Sequence, residues 1–310
     1  VSFFFEGEEE SGSPSLVPFM KENAAELTAD IALICDTSLF DNTTPAIMTT
    51  LRGMLKEEIT ITGPSKDLHS GYFGGLAQNP IRVLSRLLAA LHDDTGRITL
   101  PGFYDDVPDL DPDVARQWDN LNFDHAAFLG AVGLSEPAGE TGRSALEQIW
   151  SRPTCEINGI WGGYTGDGFK TVLPSTAHAK LSFRLVGQQD PHEIRKSFRQ
   201  MLEDLLPRDC EIAFQGHGAS PAAQMSTEHP AFQKARKALS DEWPNPAAYV
   251  GCGGSIPIAG YFKDYLDMDA MLIGFAKDDD QIHSPNEKYD LESFHKGIRS
   301  WARILAELAA

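Results

Sequence analysis

VSFFFEGEEESGS, residues 1–13, joins an apolar, aromatic-rich run to four carboxylates, Glu6, Glu8, Glu9 and Glu10. A short apolar run that breaks into Gly and Ser reads as a buried strand passing into a loop. In open α/β sheets, ligands gather at the carboxyl ends of strands. Adjacent Glu9 and Glu10 at such an end can divide two jobs, one holding a metal ion and the other moving a proton. A solvated acidic turn has the same composition, so the rest of the chain decides between the two readings.

Two further apolar runs answer this one. Residues 30–36 (DIALICD) form a strand pattern that ends in Asp36, and residues 269–275 (DAMLIGF) lead through a run of acids into IHSPNE, which holds His283. Three strand ends thus present Glu10, Asp36 and His283 beside a spare carboxylate, Glu9. Carboxylate and imidazole donors together suit zinc, with manganese or cobalt as alternatives.

Between these runs lies a different pattern. Residues 15–27 read as a helix and 37–44 as a loop. Residues 58–63 (EITITG) alternate as a strand, and DLHSGYFGG (67–75) is a glycine-rich loop holding His69. Asn79 and Pro80 open a helix as N-cap and first position. Residues 93–152 read as short helices and loops. Residues 158–168 (NGIWGGYTGDG) read as a loop between strands; they lack the GK[ST] ending of a phosphate loop. Residues 177–186 alternate, with Ala177, Ala179, Leu181, Phe183 and Leu185 on one face and His178, Lys180, Ser182 and Arg184 on the other. Asp190 to Glu193 read as a capping box before a helix, and 210–214 as a further strand. This β, α, β, α, β order predicts a two-layer α+β domain.

Residues 220–224 (SPAAQ) read as a hinge, 232–239 as a helix and 249–257 (YVGCGGSIP) as a glycine-rich loop with Ser255. A terminal helix over 291–308 turns Leu291, Phe294, Ile298, Trp301, Leu305 and Leu308 inward by its spacing. The fold class expected is α/β: a discontinuous domain (1–51 and 220–310), built on a mixed sheet with helices on both faces, with a two-layer α+β domain (52–219) inserted in it.

The 310 residues suffice for about two domains. A formal charge of −19 argues against nucleic acid and anionic membranes as partners, because both select basic surfaces. Cys35, Cys155, Cys210 and Cys252 form no CxxC pair and read as reduced thiols of a cytoplasmic protein. No apolar run reaches the roughly 18 residues of a membrane span, and no signal peptide is visible. The chain opens without Met inside a strand-like run, so upstream sequence is expected.

FEGEEESGS, ICDTSLF, DLHSGYFGG, FRLV, GGSIP and IHSPNE, in this order, resemble the two-metal peptidase family that includes carnosinase, aminoacylase and glutamate carboxypeptidase. The tighter similarity is to its carnosinase-like, cytosolic dipeptidase branch. The resemblance implies that 1–51 and 220–310 form the catalytic domain and 52–219 a lid and dimerisation domain, and it implies metal-dependent hydrolysis of dipeptides or small peptides with a free carboxyl terminus, by a homodimer joined through that lid domain. It implies two divalent ions, zinc first. Glu9 would be the general base, Glu10 and His283 ligands of one metal, and Asp36 a ligand of the other. His69 would steady the oxyanion across the dimer interface. Arg184 would clasp the substrate carboxylate, with Ser255 and the backbone of Gly253 and Gly254 holding the same end. Family members also carry a His, in an HxD motif, and a bridging Asp in an amino-terminal segment. Neither has a counterpart here, so the site is expected to be incomplete in this chain and the activity to be that of the full-length protein. The alternatives are an amidase of N-acyl amino acids and a non-catalytic dimerising fragment. A carboxylate-only hydrolase fits the acid pairs but leaves His283, Asp36 and Arg184 unexplained.

Overall fold

The computed structural model describes residues 1–225 and 227–310; the side chains of Glu10 and Pro257 lie outside the described set. Two compact units emerge. The first comprises Val1–Leu51, Asp113–Asn122 and Ala223–Ala310, the second Arg52–Pro112 and Phe123–Ala222. The segment Asp113–Asn122, inside the range read from sequence as the inserted domain, groups with the first unit.

In chain order the strands are β1 (Ala32–Ile34), β2 (Ala46–Leu51), β3 (Gly53–Thr62), β4 (Leu68–His69), β5 (Thr154–Gly162) and β6 (Val172–Leu173). They continue as β7 (Thr176–Leu185), β8 (Glu211–Ser220), β9 (Ala223–Gln224), β10 (Ala248–Cys252) and β11 (Ala270–Leu272). The helices are α1 (Leu16–Glu22), α2 (Ala24–Leu27), α3 (Ser70–Phe73), α4 (Pro80–Ala89), α5 (Pro112–Asp119) and α6 (His125–Gly130). They continue as α7 (Ala145–Trp150), α8 (Pro191–Leu205), α9 (Pro230–Ser240), α10 (Pro257–Leu266) and α11 (Leu291–Ala309).

The second unit is a two-layer α+β domain. Its antiparallel sheet runs β5-β7-β3-β8. Alternation along β7 buries Ala177, Ala179, Leu181, Phe183 and Leu185, each at 2% exposure or less. Leu55, Ile59 and Ile61 of β3 join them on that face, covered by Leu84, Leu87 and Leu88 of α4 and Ile194, Phe198 and Leu202 of α8. Both helices are opened by side chains: Asn79 Oδ1 accepts from Ile81 N at 2.9 Å, and Asp190 Oδ1 from His192 N at 2.7 Å. Pro80 and Pro191 start them because the first turn needs no N–H. One carboxylate intrudes on the buried face. Glu57 is 1% exposed, and Arg195 Nε and Arg199 Nε reach it at 2.7 and 2.9 Å.

The first unit is built on a mixed five-stranded sheet, β1-β11-β2-β10 with β9 on β2. β1 lies parallel to β11 and β10 parallel to β2, while β11 meets β2 antiparallel. All three residues of β11 and the first four of β10 are buried, which requires cover on both sheet faces. The covering helices gather in two groups, α9 with α11 and α1 and α2 with α10.

Several expectations fail for identifiable reasons. Residues 1–5 form no strand: they have no ladder partner among the described residues, and an exposed run without one leaves its backbone groups to water. Phe3 and Phe5 stand 76% and 88% exposed. The helix expected over 15–27 is broken at Asn23, which caps α1 and opens α2. The loop expected at 158–168 starts as strand: β5 continues through Gly162, carried across its glycines by a register shift between Ile157 and Gly159. The loop expected at 249–257 contains β10, whose parallel neighbour β2 supplies the ladder.

The most instructive difference is in α11. Of the stripe expected inward, Trp301 and Leu308 pack against the core, but the helix buries Ser293, Gly297, Ser300 and Ile304 and leaves Leu291, Phe294 and Ile298 at 73%, 49% and 55% exposure. Small residues let the helix approach closely. The Phe275 ring fills the space a Gly297 Cβ would need, 2.8 Å from Cδ2, and Trp243 Nε1 donates to Ser300 Oγ at 3.0 Å.

Candidate active site

Within the first unit, β1 and β11 stay joined beyond their ladder. Ile273 N donates to Ile34 O at 2.9 Å, and Leu39 N donates to Ala276 O at 2.9 Å. Glycine is required at 274, where a Cβ would overlap the Thr37 backbone. Asp36 therefore sits on a paired, tightly packed extension of β1 and is itself exposed. His283 follows β11 by a longer route. Its loop is built on left-handed residues, with φ of 56° at Gln281, 61° at His283 and 64° at Asn286.

The base of that loop is held by Asp280, a residue sequence reasoning passed over inside an acid run. Asp280 is 1% exposed. Lys288 Nζ and Lys277 N donate to its two oxygens, each at 2.8 Å, and Lys288 N donates to its carbonyl at 2.9 Å. Burial pushes its pKa up, but the Lys288 ammonium and the Lys277 N–H outweigh that and hold it below the ordinary carboxylate value.

Glu9 is exposed and lies in a single 3-10 turn, Glu9–Ser11. Its neighbour Glu8 fastens the turn to α1: its carboxylate accepts from Ser15 N and Ser15 Oγ at 3.0 and 3.2 Å. The expected ligand Glu10 has its side chain outside the described residues. Gly254 N donates to Cys252 Sγ at 3.3 Å, and Ser255 follows half-buried in the turn before α10.

Within the second unit, His69 ends β4, which pairs with β6, and Arg184 lies on β7 opposite Met54 and Thr154. Arg184 belongs to the sheet face that the helices leave uncovered. A cleft of about 710 Å³ in the first unit, between α5 and the segment around Asn245, is lined by none of the eight predicted site residues.

The donor chemistry suits a divalent cation: carboxylates and an imidazole, with two orphaned oxygens close by in sequence. Glu6 Oε1 and Thr37 Oγ1 are buried and have no hydrogen-bond partner among the described residues, a state that calls for a donor or a cation. Among the described residues no three His, Cys, Asp or Glu side chains gather to hold a metal ion. No helix among the described residues is long and apolar enough to cross a membrane.

Comparison with known proteins gives these observations a frame. Residues 49–210 match the peptidase dimerisation domain of the M20 family. The chain is 30% identical to the Cys-Gly metallodipeptidase of Schizosaccharomyces pombe, over 99% of its own length and 65% of that protein's. Among solved structures it resembles the M20 family metallo-carboxypeptidase of Sulfolobus solfataricus, with a TM-score of 0.84 and 28% identity over 97% of this chain and 68% of that one. It also resembles human carnosine dipeptidase 1, with a TM-score of 0.81 and 26% identity over 98% and 65%. The chain spans 62–65% of the length of the first curated relatives it matches. By the match over more than half its length, the chain belongs to the M20 peptidase family.

Proposed function

We propose that the protein hydrolyses the peptide bond of dipeptides or small peptides with a free carboxyl terminus. The observation that carries this reading is the end-to-end match to a metallodipeptidase over 99% of the chain. The candidate residues supply the parts such a reaction needs. Glu10, Asp36 and His283 are the proposed metal ligands, for two divalent ions with zinc first and manganese or cobalt as alternatives. Such ions, when bound, polarise a carbonyl and acidify water.

Glu9 is the proposed general base, taking a proton from water and returning one to the leaving amine. Its exposure in a one-turn helix leaves the carboxylate accessible to substrate. Arg184 is proposed to bind the substrate carboxylate through its planar donor fork, and Ser255 and Gly254 to hold the same end. His69 is proposed to donate to the oxyanion of the tetrahedral intermediate. The first unit acts as catalytic domain, and the second as lid and dimerisation domain of a homodimer.

The test is hydrolysis of Cys-Gly and β-Ala-His beside N-acetylated amino acids, after loading with Zn²⁺, Mn²⁺ or Co²⁺. Dipeptide cleavage that stops in chelator supports the reading. Cleavage of the acylated amino acids alone would transfer it to an amidase. Full activity in chelator would overturn it.

A further inference from the structure

His69 stands on an unusually well-fixed backbone. Asp67 Oδ1 accepts from Ser175 N and Oγ at 2.9 and 3.1 Å. β4 then pairs Leu68 with Leu173 and His69 with Val172, and Ser70 N donates to Thr171 O at 2.9 Å. The ring is fixed as well. Gly71 N donates to His69 Nδ1 at 2.9 Å, and the Tyr72 ring packs against it at 4.9 Å between centroids.

A neutral imidazole has one donor nitrogen and one acceptor nitrogen, and the bond made by one decides the role of the other. A backbone N–H aimed at Nδ1 makes Nδ1 the acceptor, which puts the proton on Nε2. The bond also needs glycine at its source: a Cβ on residue 71 would stand 2.9 Å from His69 Cε1 and 3.1 Å from Nδ1. That is closer than the ring tolerates without turning.

We infer that Gly71 is a positioning residue for His69: its N–H locks the Nε2–H tautomer, and its missing side chain leaves room for the ring in that pose. A ring so held offers a neutral hydrogen-bond donor at Nε2, the group an oxyanion requires. In this arrangement His69 is a donor throughout the reaction and the proton traffic stays with Glu9. The inference rests on the proposed role of His69, but the tautomer itself is a property of the chain without substrate.

The experiment is long-range ¹H–¹⁵N correlation on the ¹⁵N-labelled chain, above the ordinary imidazole pKa of about 6.5. The spectrum holds nine histidines, and the His69 signals are those lost in His69→Gln. The expected result is a protonated Nε2 and an unprotonated Nδ1 in the parent chain, and a mixture of tautomers in Gly71→Ala. A protonated Nδ1 in the parent, or an unchanged tautomer in a folded Gly71→Ala, would overturn the inference. The parent measurement needs no variant at position 71, so misfolding of Gly71→Ala leaves it decisive. Where turnover is present, Gly71→Ala lowers kcat by at least about 10-fold, toward the roughly 10²–10³-fold of a lost oxyanion donor, with KM little changed. Loss of the proposed hydrolysis would leave the tautomer standing, and an Nδ1–H ring would leave hydrolysis standing.

Discussion

Glu9 and Asp280 show how differently two carboxylates in acid-rich runs behave. Glu9 is exposed and proposed for proton transfer; Asp280 is buried and fastens a loop. Glu9→Gln keeps the shape and removes the base. It is expected to lower kcat by about 10²–10⁴-fold, with metal content unchanged by elemental analysis. An unaltered kcat would remove Glu9 from the mechanism. Asp280→Asn breaks a charge-assisted pair and should cost about 2 kcal/mol in urea unfolding. Its pH dependence has a definite sign. The folded pKa is depressed, so the contribution is full above the unfolded value of about 3.9 and is lost as pH falls through the folded value. The variant should therefore show a flatter acid limb below about pH 4 than the parent. The candidate site residues could be named from sequence because each sits in a short motif of unusual composition. Asp280 was not, because nothing in KDDDQ separates a buried carboxylate from two solvated ones.

Elements were legible where one face is buried and a period shows. β7 reads directly from its alternation, and α4 and α8 from the Asn79 and Asp190 caps that open them. β2 and β10 were missed because both are short and neither alternates: no residue of β2 is exposed and the first four of β10 are buried, which erases the two-residue period. α11 misled by the opposite route. Its hydrophobic spacing is regular, yet the buried stripe is Ser293, Gly297, Ser300 and Ile304. Close approach to Phe275 and Trp243 selects small residues there, and apolar spacing does not register small residues. The two faces make opposite predictions. Gly297→Ala should destabilise by about 1–2 kcal/mol in spite of better helix propensity, because the added Cβ meets the Phe275 ring at 2.8 Å. Ile298→Ala, at a 55% exposed position, should change stability by no more than about 0.5 kcal/mol. Thermal unfolding of the pair decides which face is inward; a large loss in Ile298→Ala alone would restore the sequence-based face.

The whole molecule is proposed to work as a homodimer, and the second unit offers two sheet edges for it, β5 and β8. They are unlike. β8 presents Gln215, Gly216, His217 and Gly218, polar or glycine and exposed. β5 is nine residues long, carries no Lys or Pro, and leaves Ile157, Ile160 and Trp161 at 45%, 54% and 42% exposure. A long edge with exposed isoleucines is a pairing hazard unless something covers it. A second copy of the same edge covers it with a two-fold axis and no other partner. β5 also lies inside the stretch that matches a peptidase dimerisation domain. The expected seam is therefore β5 against β5 of the partner. Ile157→Lys with Ile160→Lys should give a monomer in sedimentation velocity while far-UV circular dichroism stays unchanged, because both side chains are already half in water. If His69 serves the partner's site, the same double variant should also lose hydrolysis with its own Glu9 intact. A dimer that survives both lysines would move the seam to β8. A monomer that retains full turnover would place His69 in its own chain's reaction.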